Sequence, residues 1–122
     1  GHLNAIRREN PALQSMSGLR FHGSSSPHVI FYAKATPARD NVVLAAVNLD
    51  PFATHESTLQ IPLDDIGIAP DETYELHELL GGERRLMRGG VHTVVLDPRT
   101  APAHVYRVAR WRRRERDFDY YA

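Results

Sequence analysis

The longest apolar run in the sequence, NVVLAAVNLDP at residues 41–51, is the feature that most limits the fold of this chain. It is rich in β-branched residues and closes on Asn-Leu-Asp-Pro, a pattern that predicts a strand followed by a turn. Alternation along the strand gives it two apolar faces, formed by Val42, Leu44 and Ala46 and by Val43, Ala45, Val47 and Leu49. Because both faces have to be covered, we expect this strand in the middle of a sheet.

Shorter strand patterns lie on both sides of this central strand. They cover residues 19–22, 28–35, 56–61, 73–79, 84–87, 91–96 and 103–108. The turn at 36–40 predicts a hairpin between segment 28–35 and the central strand, and the glycine pairs at 81–82 and 89–90 predict two more hairpin turns. About eight short strands at regular spacing favour an all-β fold, an antiparallel sandwich or barrel.

Two short helical segments complete the pattern. Leu3 and Ile6 share one helical face near the start of the chain, and Asn10-Pro11 ends that helix because the residue before a proline avoids the helical region. A helix of two or three turns is unstable alone, so we expect it to pack on something. Residues 62–67 predict a single helical turn that ends at Gly67.

Composition excludes several classes of function. The chain has 122 residues and a formal net charge of zero, so no overall field attracts nucleic acid or an anionic membrane. It has no cysteine, which excludes disulfides, thiol catalysis and cysteine-ligated zinc and is compatible with a reducing cytoplasm. No apolar run is long enough to span a membrane, and the start shows no signal-peptide pattern. We therefore expect a cytoplasmic domain with no nucleic-acid or membrane partner.

The histidines do not show the spacing of a metal site. The seven are His2, His22, His28, His55, His77, His92 and His104. No two of them lie four residues apart on a helix face, and the nearest pair, His22 and His28, flanks a loop. We therefore predict no metal ligands in this chain and interpret the histidines as surface or strand-edge residues.

The serine run Ser24–Ser26 lies between His22 and His28 and could suggest a nucleophile with a neighbouring base. No Gly-x-Ser-x-Gly elbow surrounds it, and three serines beside glycine and proline are typical of a flexible loop. A stand-alone enzyme that uses these serines with His22 or His28 is therefore kept as an alternative, separate from those given below.

Four carboxylates could be considered for glycoside chemistry, which needs two carboxyl groups facing across a cleft. Asp64 and Asp65 lie in a predicted surface turn, and alternation points Glu75 and Glu78 to opposite faces of one strand. We interpret all four as solvated or edge charges. The glycine pairs likewise lack the following helix with lysine and threonine that cradles a phosphate.

The end of the chain, residues 110–122, has a different composition. Arginines surround Trp111, a combination that could bind nucleic acid through phosphate contacts and stacking. An acidic and aromatic segment follows at 117–121 and partly cancels this charge. We interpret residues 110–122 as an Arg-rich tail outside the sheet.

Four segments together resemble one family. Residues 6–13 (IRRENPAL) are similar to the last barrel helix of the α-amylase clan, glycoside hydrolase family thirteen, where that helix leads into a C-terminal β-sandwich. Residues 43–51 (VLAAVNLDP), 74–81 (YELHELLG) and 94–108 (VVLDPRTAPAHVYRV) resemble the C-terminal domain of bacterial α-1,4-glucan:maltose-1-phosphate maltosyltransferases. The resemblance runs from residue 3 to residue 108.

The resemblance implies an antiparallel β-sandwich of about eight strands with one short N-terminal α-helix. It divides the chain into the end of the last barrel helix (1–13), the C-terminal sandwich (14–109) and the tail (110–122). It also implies a parent enzyme that transfers maltosyl units from maltose 1-phosphate to α-1,4-glucans, with its nucleophile and acid/base in a (β/α)₈ barrel. No position here matches those barrel motifs, so we predict no catalytic, cofactor-binding or metal-binding residues.

The resemblance also names the partners that we expect. The first is the catalytic barrel of the same full-length chain, which this domain would cap and support. The second is the α-1,4-glucan itself. Three alternatives stay open: the C-terminal domain of an α-amylase, that of a trehalose synthase, and a carbohydrate-binding module, which would show two or three exposed aromatic residues in a row.

Overall fold

The computed structural model describes residues 2–14, 18–38 and 40–110, with side chains from residue 4 onward. Its elements are α1 (His2–Glu9), a 3₁₀ helix (Pro11–Gln14), β1 (Arg20–His22), β2 (Val29–Ala35), β3 (Val42–Asn48), β4 (His55–Gln60), α2 (Leu63–Ile66), β5 (Thr73–Glu78), β6 (Arg84–Arg88), β7 (Val91–Leu96) and β8 (Ala103–Arg110). The predicted all-β fold with about eight strands and a short N-terminal helix is confirmed. No helix in these ranges has the length and apolar character needed to cross a membrane.

The strands form two antiparallel sheets. The larger has six strands in the order β1-β2-β3-β8-β5-β6, and the smaller pairs β4 with β7. The central strand lies between β2 and β8, as predicted, and β2 and β3 form the expected hairpin. Leu44 on one face and Val43 on the other are 0% and 1% exposed, so both faces of β3 are covered.

The main core lies between the two sheets. The six-stranded sheet contributes Phe31, Leu44, Tyr74 and Leu76, and these side chains pack against buried residues of the smaller sheet and α2. The residues that the smaller sheet and α2 contribute include Leu59, Ile66, Val94 and Leu96. Phe21, which lies on a strand and could be expected in the core from its residue type, is instead 66% exposed on the outer face of edge strand β1.

The first helix packs at the end of the sheet where β2 ends and β3 begins. Asn10, directly after α1, is buried and donates from its side-chain amide to the Ile6 carbonyl, 3.0 Å away. Asn41 donates to the Asn10 side-chain oxygen at 3.0 Å and accepts from the Ala12 amide at 2.9 Å. Ile6 and Ala12 are therefore buried against this end of the sheet, separate from the main core.

The two glycine pairs form different kinds of connection. Gly81-Gly82 closes the β5–β6 hairpin, as predicted. The prediction of a hairpin at Gly89-Gly90 is wrong, because β6 and β7 belong to different sheets. Gly90 instead accepts a hydrogen bond from the Ile61 amide at 2.7 Å, and a Cβ at Gly90 would lie only 2.8 Å from the Ile61 carbonyl oxygen.

Arg110, which the sequence pattern assigns to the tail, is the last residue of β8 and pairs with Tyr74. Its guanidinium binds both carboxylate oxygens of Glu72 at 2.9 and 3.0 Å, a bidentate geometry that holds the end of the strand. Trp111 and the rest of the predicted tail lie outside the described residues.

Adjacent valines on β7 test which face of this strand forms the core. Val94 is 4% exposed and Val95 is 53% exposed. We expect Val94→Ala to lower the free energy of unfolding by about 2 kcal/mol, because two buried methyl groups are lost and a cavity remains. Val95→Ala should change it by about 0.5 kcal/mol or less. Urea unfolding of both variants measures the difference, and equal losses would contradict the assignment of faces.

Candidate functional site

A cleft of about 510 Å³ opens between the two sheets and is lined by residues of β5, β6, β7, β8 and the adjoining turns. Four of its polar side chains come from three strands: Glu78 on β5, His92 on β7, and His104 and Tyr106 on β8. Arg85 of β6 also lines the cleft. Glu78 and Tyr106 are paired across neighbouring strands, so they share a face. The sandwich thus brings together four polar groups that lie far apart in the sequence.

Glu78 is the carboxylate at the base of this cleft. It is 6% exposed, so the interpretation of this residue as a solvated charge is wrong. Its carboxylate accepts from the Val105 amide at 2.9 Å and from the Gly81 amide, which ties the β5–β6 turn to β8. Glu75, as alternation predicts, faces the other side of the strand, where it pairs with Arg84 at 2.8 Å.

His92 and Tyr106 form a buried polar pair. His92 Nε2 lies 3.3 Å from the Tyr106 hydroxyl, and the two rings meet edge to face at 5.5 Å. Burial lowers the pKa of His92, and electrostatic interaction with Arg85 and His104 lowers it further. Burial also raises the pKa of the Tyr106 phenol. Both groups are therefore neutral at pH 7, and their contact satisfies two buried polar atoms.

His104 and Glu83 are further polar groups of the cleft. His104 Nδ1 lies 3.9 Å from the Glu78 carboxylate and its ring is 5.9 Å from that of Tyr106. Glu83, the other carboxylate of the lining, is an exposed residue of the β5–β6 turn. Glu78 is held by two backbone amides, so this lining offers a polar surface with one fixed carboxylate at its base.

The serine run forms an ordered link between the sheets. The Ser24 hydroxyl donates to the Val29 carbonyl at 2.8 Å. The Ser57 hydroxyl of β4 lies 3.0 Å from the Ser24 hydroxyl. The Ser25 amide donates to the Thr58 carbonyl, and the Ser25 hydroxyl accepts from the Thr58 amide. These contacts give the three-serine segment a structural role in holding β4 against the larger sheet.

The histidines outside the cleft turn to different partners. His22 lies beside Phe31 and His77 lies beside Arg107, whereas His28 stacks on His55. Asp50 forms a group of potential metal ligands with His28 and His55, which the spacing of the histidines in the sequence does not predict. The register of the β2–β3 hairpin could have predicted part of this group. Because residue 29 pairs with residue 48, His28 lies close to the turn after β3, which contains Asp50.

Glu75 and Glu78 offer a matched test of this description. We expect Glu78→Ala to lower the free energy of unfolding by about 2 kcal/mol, because two partly buried backbone amides lose a charged acceptor. Glu78→Gln should recover part of that loss, since it keeps one acceptor oxygen. Glu75→Ala should cost at most about 1 kcal/mol, because only a surface ion pair is removed. Thermal and urea unfolding measure all three, and equal costs for both alanine variants would refute the buried role of Glu78.

Both the sequence and the fold of this chain have counterparts among known proteins. The chain is 47% identical over 119 residues to the α-1,4-glucan:maltose-1-phosphate maltosyltransferase of Myxococcus xanthus, a match that covers 98% of this chain and 18% of that protein. It is 41% identical over 106 residues to the enzyme of the same name from Rhodospirillum rubrum, covering 87% and 15%. The chain thus spans less than a fifth of the length of these relatives.

The fold itself is found in a solved enzyme. The α-amylase of Geobacillus thermoleovorans, solved in complex with acarbose, superimposes with a TM-score of 0.62 over 88% of this chain and 21% of that one, at 19% identity. The family model described as "GLGE, C-terminal" matches residues 21–108, which form most of the chain. This chain therefore belongs to the GLGE C-terminal domain family.

Proposed function

We propose that this chain is the C-terminal β-sandwich of an α-1,4-glucan:maltose-1-phosphate maltosyltransferase and that it supports the catalytic barrel of that enzyme. One observation carries the proposal: 98% of the chain aligns at 47% identity with less than a fifth of a maltosyltransferase. In this proposal the whole enzyme moves maltosyl units from maltose 1-phosphate to α-1,4-glucans in the bacterial cytoplasm, as part of glycogen-like glucan synthesis. The chemistry belongs to the barrel, and the present chain supplies no catalytic, cofactor or metal residue to it.

We propose the division of the chain that the family resemblance implies, with one change. Residues 1–13 are assigned to the end of the last barrel helix, and residues 14–110 to the sandwich. Pairing of Arg110 with Tyr74 supports ending the sandwich one residue later than the composition suggests. The hydrogen bonds of Asn10 and Asn41 would then join the barrel helix to the sandwich.

The outer face of the six-stranded sheet is the surface we assign to the barrel. The strand register places Phe21, Tyr32, Ala45 and Val105 in one row across β1, β2, β3 and β8, and Ile30 and Val47 in the next. We call these six residues the outer apolar patch. Phe21 is 66% exposed, while Ala45 is already buried by its neighbours. Covering such a patch adds about 25 cal/mol for each Å² of apolar surface removed from water.

The position of α1 supports the barrel as the occupant of this patch. The 3₁₀ helix that follows α1 packs on β2 and β3, and Asn10 binds Asn41, so in this proposal the barrel approaches the larger sheet from that side. On the same outer face, the part formed by β5 and β6 carries the ion pair of Glu75 with Arg84 and is more polar. The apolar part of the face lies on the strands nearest to α1.

We do not extend the proposal to a glucan-binding module. The strongly exposed aromatic residues among those described are Phe21 on β1 and Phe52 in the turn after β3. A sugar-binding platform needs neighbouring exposed rings, and these two lie on separate elements. The support of a catalytic barrel is therefore the function we favour.

The test uses the full-length protein that the proposal implies. Wild-type protein should release phosphate from maltose 1-phosphate when an α-1,4-glucan acceptor is present. Phe21→Glu should lower the thermal midpoint by several degrees and shorten the half-life of that activity, because it places a charge in a buried apolar contact. Phe52→Glu, at a residue that is 87% exposed and outside the outer apolar patch, is the matched control.

The possible results separate the parts of the proposal. If wild-type protein releases no phosphate, the assigned activity is wrong. If phosphate is released but Phe21→Glu and Phe52→Glu behave alike, the activity stands and the outer apolar patch does not contact the barrel.

A further inference from the structure

His28, Asp50 and His55 converge at one end of the sandwich, although they come from three separate elements. His28 directly precedes β2, Asp50 lies two residues after β3, and His55 is the first residue of β4. One potential ligand atom from each side chain lies within 4.8 Å of the other two. The group contains two imidazoles and one carboxylate, which is a ligand set found in divalent metal sites.

The contacts within the group leave ligand atoms accessible. His55 Nε2 lies 2.8 Å from Asp50 Oδ2, and the rings of His28 and His55 stack with centroids 4.2 Å apart. The side chains of Asp50 and His55 are each 22% exposed, and His28 is exposed. An ion can therefore enter from solvent without opening the core.

The backbone around Asp50 is fixed independently of the histidines. Asp50 Oδ1 accepts from the Phe52 amide at 2.9 Å, and the Asp50 amide donates to Asn48 Oδ1 at 2.8 Å. Asn48 is itself buried and donates to the carbonyls of Ala53 and Leu96 at 2.9 and 3.0 Å. One carboxylate oxygen of Asp50 is thus used by the turn, and Oδ2 faces the histidines.

The positions of both histidines are also constrained. The His28 carbonyl accepts from the Leu49 amide at 2.8 Å, which holds it beside the end of β3. His55 is paired with Leu96 in the smaller sheet. The three ligand atoms lie within 4.8 Å of one another, and metal–ligand bonds of about 2.0–2.1 Å in a tetrahedral site require a spacing of about 3.3 Å.

We propose that His28, Asp50 and His55 bind one divalent transition-metal ion of the zinc type, with water in the open coordination position. The other histidines are less suited to this role. His77 lies 3.4 Å from the Arg107 guanidinium, and His92 is buried against Tyr106. The carboxylate near His104 is that of Glu78, which already accepts two backbone amides.

The ion would join the two sheets. His28 and Asp50 extend from strands of the six-stranded sheet, and His55 belongs to the two-stranded sheet. A ligand that binds only the folded arrangement stabilises it by mass action. Metal binding should therefore raise the thermal midpoint of the protein, in addition to any effect on the barrel contact proposed above.

The experiment measures metal stoichiometry on the full chain after treatment with a chelator. Equilibrium dialysis against Zn²⁺ at neutral pH should give one bound equivalent fewer for His28→Gln, Asp50→Asn and His55→Gln than for wild type. His77→Gln is the matched control and should bind the same number of ions as wild type. Co²⁺ substitution should give visible absorption bands that each of the three site variants loses and His77→Gln retains.

Thermal unfolding supplies the second readout. Saturating Zn²⁺ should raise the midpoint of wild type and of His77→Gln by a few degrees and leave that of His28→Gln unchanged. His28 is exposed, so its variant keeps the test usable if Asp50→Asn or His55→Gln folds poorly. Equal Zn²⁺ stoichiometry and equal midpoint shifts in wild type and His28→Gln would overturn the proposal.

Discussion

Burial of both faces of β3 is the constraint on which the rest of this structure depends. Leu44 and Ala46 are fully buried on the inner face, and Val43 is 1% exposed on the outer face. A strand with this pattern at a sheet edge would leave apolar surface and backbone groups open to water. The chain avoids this by placing β2 and β8 on either side of it. Because β8 pairs with both β3 and β5, it joins strands β1 to β3 to the β5–β6 hairpin.

The smaller sheet depends on polar contacts as well as on the core. It has only two strands, and a two-stranded sheet is marginal by itself. Its β4 strand is hydrogen-bonded to the serine segment at 24–26, and the Leu96 carbonyl of β7 accepts from the buried Asn48. An unsatisfied buried polar group costs about 1–3 kcal/mol, so these bonds disfavour other placements of the small sheet. These hydrogen bonds therefore fix the position of the smaller sheet on the larger one.

Local pattern was sufficient to predict the strands, because turn residues bound the strand-forming runs and several strands, such as β2, β5 and β7, alternate between buried and more exposed positions. It correctly placed β3 at mid-sheet and Gly67 at the end of the helical turn. It failed where the outcome depends on which sheet a strand joins: Gly89-Gly90 resembles a hairpin turn, yet it leads from one sheet to the other. Glu78 was misjudged for a related reason. Glu78 is buried where β5 pairs with β8, and its carboxylate accepts a hydrogen bond from the Val105 amide. Val105 lies 27 residues away, so the sequence around Glu78 does not predict this contact.

In the proposed metal site, the turn that contains Asp50 serves both the stability of the fold and the binding of the ion. Asn48 uses its whole side-chain amide to connect the turn with β7, so it has no group left for a ligand. Asp50 divides its carboxylate, with Oδ1 on the Phe52 amide and Oδ2 toward His55. That hydrogen bond from His55 is the main cause that lowers the pKa of Asp50, so the carboxylate is ionised at neutral pH. In the proposed site, Asp50 Oδ2 would exchange its contact with His55 for a metal ion, while the turn stays held through Oδ1 and the Asn48 side chain.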